Sequence, residues 1–210
     1  DLQVPSEQLD AEFVETALIT HERSGIKVLL APQRPEMADM VTGELLRRTI
    51  TLLRERNEYV IVDTWSALDE RVLTALEVAN KILLVVSLEL SSIKSAKVFL
   101  EVADLLRFPP ENIKVVVTRA TASTGVAVAD VEATLGRAID VRIPSDERVA
   151  RSINEGDPLM LSARNTAVAQ TITELARGIV AENYPELRPA GSEPQSGLGK
   201  GGRFKIFARG

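Results

Sequence analysis

The sequence predicts an α/β fold, a mostly parallel, doubly wound sheet with helices on both faces. Three observations carry this. Short apolar, β-branched runs recur along the chain, and each is continuous in polarity, the mark of a strand buried on both faces. Segments with apolar residues at helical spacing lie between them. The 210 residues leave room for a substantial core, at roughly 100–200 residues per domain.

The runs expected as strands are Ile26-Ala31, Tyr59-Asp63, Lys81-Ser87, Ile113-Thr118 and Ile139-Ile143. After the first, Leu45, Leu46, Ile50 and Leu53 share one helix face, opposite Arg47, Arg48, Arg54 and Glu55. Leu68, Val72, Leu76 and Ala79 repeat that spacing after the second. Ser91 and Ser92 are candidate N-caps for a helix through Leu106, stopped by Phe108-Pro109-Pro110. Val168, Ile172, Leu175 and Ile179 mark a last long helix, closed by Tyr184-Pro185. Alternation of this kind implies right-handed βαβ units.

Composition changes at Arg188, where Gly, Ser and Pro become frequent. Two parts are therefore expected, residues 1–187 as the folded domain and 188–210 as a flexible tail with a basic, aromatic tip. Arg188, Lys200, Arg203, Lys205 and Arg209 against Glu193 give the tail +4, leaving −9 on the body for the total of −5.

Composition also excludes several kinds of chemistry. There is no cysteine and a single histidine, His21, so disulfide scaffolds, zinc fingers and cysteine nucleophiles are ruled out. His21 lies in the polar stretch Thr20-Gly25 and reads as a loop residue. One Trp, two Tyr and five Phe are too scattered for the stacking platforms that bind single-stranded nucleic acid. The acidic body argues against DNA binding, which needs a basic face. The longest apolar run, Ile82-Val86, is far short of the ~20 residues of a membrane span. The absence of cysteine fits a cytoplasmic location.

In doubly wound sheets ligands bind beyond the carboxyl ends of the strands. The residues there are Pro32, Asp63-Thr64, Ser87, Thr118-Arg119 and Pro144-Ser145-Asp146. Tyr59-Val60-Ile61-Val62-Asp63 has the form of a Walker B strand, whose carboxylate holds the water shell of a nucleotide-bound Mg²⁺. An Asp after a buried run also serves as a cap or turn residue, and the motif alone does not separate the two.

The continuation Thr64-Trp65-Ser66-Ala67-Leu68-Asp69-Glu70 makes the stretch resemble the Walker B region of MinD/ParA-like deviant-Walker P-loop ATPases, in particular the CpaE/TadZ branch tied to pilus assembly. Four further stretches resemble the family in order and spacing: Gly25-Pro32 with Arg34-Pro35-Glu36; Lys81-Ser87 with Ser95-Ala96-Lys97; Val141-Asp146; and Ile153-Leu159. Together they span about residues 1 to 182.

The resemblance implies binding of ATP or ADP with Mg²⁺ and nucleotide-dependent homodimerisation. It also implies a role in positioning pilus-assembly or polar-localisation proteins, in the cytoplasm at a pole or at the inner membrane. By position, Asp63 would orient Mg²⁺ through water, Thr118-Arg119 would stand beside adenine, and Pro144, Ser145 and Asp146 would line the base pocket. Thr118 departs from the family's usual Asn, and its single hydroxyl lacks the donor-plus-acceptor amide. Trp65-Ser66 replaces the frequent Pro-Pro. The phosphate-binding Gly-x-x-x-x-Gly-Lys-Ser/Thr does not occur before the first strand. Gly197-Gly202 approaches it but follows no strand and reads as linker.

A P-loop unit, preceded by a receiver-like domain, is therefore expected upstream of Asp1, and residues 1–210 alone are not expected to hydrolyse ATP. With an intact upstream loop the protein would be an ATPase. The competing reading is a non-hydrolysing interaction scaffold that keeps the ATPase fold; a generic α/β receiver or dinucleotide-binding domain is a third. The tip 200–210 carries either peripheral membrane contact, through basic and apolar residues, or no more than a loose end.

Overall fold

The structure is a computed structural model that describes residues 9–32, 34–120 and 125–184. The chain divides into two compact units, residues 1–173 and 174–210. The tail 188–210, the Gly197-Gly202 string and the proposed membrane tip lie outside the described residues.

In order, the described elements are α1 (Ala11–Thr16), β1 (Ile19–Thr20), β2 (Lys27–Val28), α2 (Pro35–Ala38), α3 (Gly43–Arg56) and α4 (Glu70–Val78). There follow β3 (Ile82–Ser87), α5 (Leu90–Leu105), β4 (Ile113–Thr118), α6 (Val128–Leu135), β5 (Val141–Arg142), α7 (Glu147–Glu155), α8 (Leu159–Ser162) and α9 (Ala167–Asn183). β3, β4 and β5 form a parallel sheet in that order. This is the α/β class with a parallel sheet that the alternation implied.

The main core lies where α5 and α6 pack on this sheet. Ile82 and Val86 of β3 and Val115 and Val117 of β4 meet Ile93, Ala96, Leu100 and Ala103 of α5 and Val131 and Leu135 of α6. Val86, Val115, Val117 and Val131 are fully buried, and each contributes about 1.5–3 kcal/mol by leaving water. β4 is the central strand, and its Val116 on the other face is buried as well. A smaller core joins Val14 of α1 to Leu45 and Leu52 of α3.

Local chemistry accounts for the helix ends. Thr42 and Asp69 cap α3 and α4 by accepting from Leu45 N–H and Val72 N–H. α5 closes in a Schellman arrangement, with Phe108 N–H bonded to Ala103 C=O at 2.9 Å and Arg107 N–H to Asp104 C=O at 3.1 Å. Arg107 takes the left-handed conformation there (φ 58°).

The expected helices between strands are present, with corrected details. Ser91 and Ser92 do not cap α5: Glu89 holds the cap position without a side-chain bond. Ser92 Oγ instead accepts from Ser87 N–H at 3.0 Å, tying the helix start to the end of β3. The last helix appears as α9, where the Thr166 hydroxyl accepts from Ala169 N–H at 3.1 Å. His21 is a turn residue, its Nδ1 2.7 Å from Ser24 Oγ.

Three of the expected strands differ. Ile139-Ile143 contracts to β5. Ile26-Ala31 contracts to β2, which pairs antiparallel with β1 and is exposed. Tyr59-Asp63 forms no ladder at all. Its backbone enters none of the hydrogen bonds among the described residues, and Ile61 is 92% exposed. An apolar run becomes a strand only when a neighbouring strand takes its N–H and C=O groups, and none adjoins this one. The sheet is also covered unevenly, because Leu83 and Val85 of β3 lie open on the face away from α5.

Candidate functional site

The carboxyl ends of β4 and β5 are sewn together. Ile143 N–H donates to Val117 C=O at 2.8 Å, and Ala120 N–H donates to Ile143 C=O at 2.9 Å. These bonds bring Thr118 and Arg119 beside Pro144, Ser145 and Asp146, so five of the six residues expected at a site stand at one edge of the parallel sheet.

Their local settings differ. The Thr118 hydroxyl reaches Val86 C=O at 3.5 Å, the outer limit of a hydrogen bond. Arg119 sits in the left-handed region (φ 53°), a conformation an L residue holds at a cost. Its guanidinium pairs with Glu89 at 2.9 Å, linking the carboxyl ends of β3 and β4. Asp146 caps α7 by accepting from Arg148 N–H at 2.9 Å. Its carboxylate also receives Arg148 Nε and Nη2, at 2.9 and 2.7 Å. The guanidinium bond first, and the backbone N–H second, hold the Asp146 carboxyl below the usual carboxylate range against the opposing effect of desolvation.

Asp63 stands apart, exposed on the unpaired stretch, and no hydrogen bond or ion pair engages it among the described residues. The loop after it is anchored by Trp65, whose ring lies under the Arg71 guanidinium at 4.7 Å from its centroid. Arg71 also donates to Ala38 C=O at 2.8 Å and pairs with Asp69 at 3.2 Å. Trp65, a departure from the resembled pattern, thus fastens this loop to the start of α4.

Sequence reasoning missed Glu89 and Arg148. Arg148 was within reach, since an Asp before a helix with Arg two residues on is an N-cap with an adjacent cation. The Glu89 pairing, made across 30 residues, leaves no local signal.

Thr118, Arg119 and the 144–146 turn stand together at one sheet edge, and the Asp63 carboxylate lies outside the hydrogen bonds and ion pairs among the described residues. Nothing described cradles phosphates. Among the described residues no cluster of three or more His, Asp or Glu could hold a metal by itself.

No protein-family model matches the chain. It is 23% identical over 176 residues to the septum site-determining protein MinD of Thermotoga maritima, covering 81% of this chain and 65% of that protein. To the chloroplastic MinD homolog of Arabidopsis thaliana it is 26% identical over 206 residues, covering 92% of the chain and 61% of the relative. Among solved structures, a ParA family ATPase of Chlorobium tepidum superposes with TM-score 0.74 at 23% identity, over 82% of this chain and 72% of that one. MinD of Pyrococcus horikoshii, complexed with Mg-ADP, superposes with TM-score 0.70 at 16% identity, over 90% and 78%.

The chain has an α/β fold with a parallel sheet like that of the ParA and MinD ATPase structures, and its sequence is similar to those of curated MinD proteins. It spans about two thirds of the length of curated relatives such as the Thermotoga protein.

Proposed function

We propose that this chain is the larger part of an ATP-binding, MinD/ParA-like ATPase domain that acts as a spatial organiser. The observation that carries the reading is the joined rim of Thr118-Arg119 and Pro144-Asp146 at the carboxyl edge of a parallel sheet, where nucleotides bind in such folds. In this reading Arg119 and the 144–146 turn flank the base. The Asp63 carboxylate accepts hydrogen bonds from water on Mg²⁺, which would supply charge neutralisation for the phosphates. The phosphate-binding loop comes from polypeptide outside residues 1–210, and nucleotide binding joins two copies.

The similarity of Gly25-Pro32 and Val60-Glu70 to the CpaE/TadZ branch supports an assignment to pilus assembly. The protein would then work in the cytoplasm, at a pole or against the inner membrane, with the tip 200–210 as a peripheral contact. No helix among the described residues is long and apolar enough to cross a membrane.

A second reading, a scaffold that keeps the fold without hydrolysis, is favoured by the commitment of rim groups to internal partners. Arg119 is paired with Glu89 and Asp146 with Arg148. The test is ATP binding by the natural polypeptide with and without Mg²⁺, beside Asp63→Ala. The ATPase reading expects Mg²⁺ to tighten binding and Asp63→Ala to abolish that gain. Binding indifferent to both supports the scaffold, and no ATP binding at all sinks the nucleotide reading.

A further inference from the structure

Residues 61–67, which carry Asp63, are all exposed and belong to no helix or strand. Among the described residues they enter no hydrogen bond and no ion pair, so neither burial nor the backbone holds them. One interaction does: the Arg71 guanidinium lies over the Trp65 ring, 4.7 Å from its centroid. Trp65 follows Asp63 by two residues. With the ring fixed, the carboxylate is left on a tether of at most about 7 Å of chain.

Arg71, in the first turn of α4, is itself seated on two sides. Its Nη1 donates to Ala38 C=O at 2.8 Å and its Nη2 to the Asp69 carboxylate at 3.2 Å. Ala38 C=O also accepts from Val41 N–H at 3.1 Å, which closes the turn between α2 and α3. Asp69 is the N-cap of α4. Both acceptors therefore belong to segments that are ordered without Arg71. A guanidinium is planar, with its donors in the plane and its face left for an aromatic ring. All three contacts are thus made at once, which the point charge of a lysine cannot do.

We infer that Arg71 is a positioning residue for the nucleotide site: through Trp65 it holds the loop carrying Asp63 against the turn 38–41 and the start of α4. The inference rests on the nucleotide reading for what Asp63 meets, and on the contacts of Arg71 for the clamp itself. Arg71 touches neither Asp63 nor the rim at 118–119 and 144–146, so its effect is indirect. Linkage makes it reciprocal. If the clamp favours the position in which Asp63 serves Mg²⁺, then Mg²⁺ with ATP must tighten the stack of Trp65 on Arg71. Trp65 is 51% exposed and no core residue, so replacing it tests the clamp rather than the fold.

The experiment uses the full natural polypeptide labelled with fluorotryptophan and read by fluorine NMR, the Trp65 resonance being the one that Trp65→Phe removes. Without nucleotide, Arg71→Gln should move that resonance to the position of a solvated tryptophan, and Arg71→Lys should move it part of the way. Mg²⁺ with ATP should shift it in the wild type and leave it still in Arg71→Gln. ATP affinity is then measured with and without Mg²⁺. Arg71→Gln and Trp65→Leu should each cut the gain from Mg²⁺ by about fivefold, with affinity in the absence of Mg²⁺ kept, while Trp65→Phe retains most of the gain. A resting resonance unmoved by Arg71→Gln overturns the clamp. A gain from Mg²⁺ that survives both Arg71→Gln and Trp65→Leu overturns the positioning role and leaves the nucleotide reading standing. A wild type that binds no ATP sinks that reading and the role with it. Should Arg71→Gln fail to fold, the contrast between Trp65→Leu and Trp65→Phe decides: an equal gain in the two overturns the inference.

Discussion

Asp140 does the work of a strand residue with its side chain. β5 is two residues long, yet the bonding between it and β4 extends one residue further back. Val115 N–H donates to Asp140 Oδ2 at 2.7 Å, while Asp140 N–H donates to Val115 C=O at 3.0 Å. Val115 is fully buried while Asp140 is exposed, so removing the carboxylate leaves the Val115 N–H without its protein acceptor. Asp140→Ala orphans a buried donor, a loss of about 1–3 kcal/mol. Asp140→Asn keeps an acceptor but exchanges a charge-assisted bond for a neutral one, a loss of about 1 kcal/mol. With a urea slope of about 2 kcal/mol/M, the Ala variant should unfold roughly 0.5–1.5 M earlier with the slope unchanged. Exchange at the Val115 amide should quicken in step. An Ala variant that unfolds at the wild-type midpoint, or no earlier than the Asn variant, refutes the argument that this side chain completes the ladder.

Two further predictions follow the same logic. A Cβ on Gly43, in the first turn of α3, would stand 2.7 Å from Thr74 Oγ1 and 2.8 Å from Glu70 Oε1 of α4. Gly43→Ala should therefore lower the melting temperature despite the better helix propensity of Ala, by a net of about 1 kcal/mol; a rise would show that α4 gives way freely. Asp146 is held below its ordinary value of 3.8. Its contribution to stability is thus fully present above that pH and is lost as pH falls through the lower folded value. An NMR titration of its carboxyl carbon should give a midpoint below 3.8 that moves upward in Arg148→Gln; an unmoved midpoint would deny the guanidinium its role.

The secondary structure was legible in the sequence wherever local pattern and burial agree. α3 and α4 follow their apolar spacing, and the structure adds their caps, Thr42 and Asp69. β3 and β4 follow continuous apolar runs because the sheet they form is internal to residues 1–210. The same pattern misleads at Tyr59-Asp63 and shortens at Ile26-Ala31, since the ladder a strand requires is a property of its neighbours. The rim at 118–119 and 144–146 was legible as strand ends, but its present bonding was not. Glu89 meets Arg119 through the packing of β3 against β4, and Arg148 takes Asp146 by a choice of rotamer.

By itself, then, the sequence determined the α/β class, the helix faces and the ends of β3 and β4, because these depend on spacing and apolarity within a few positions. Tertiary structure decided which apolar runs become strands, which edge stays open and which charges are already committed. Those outcomes rest on hydrogen bonds between residues tens of positions apart, and each such bond exists only when both partners are in place.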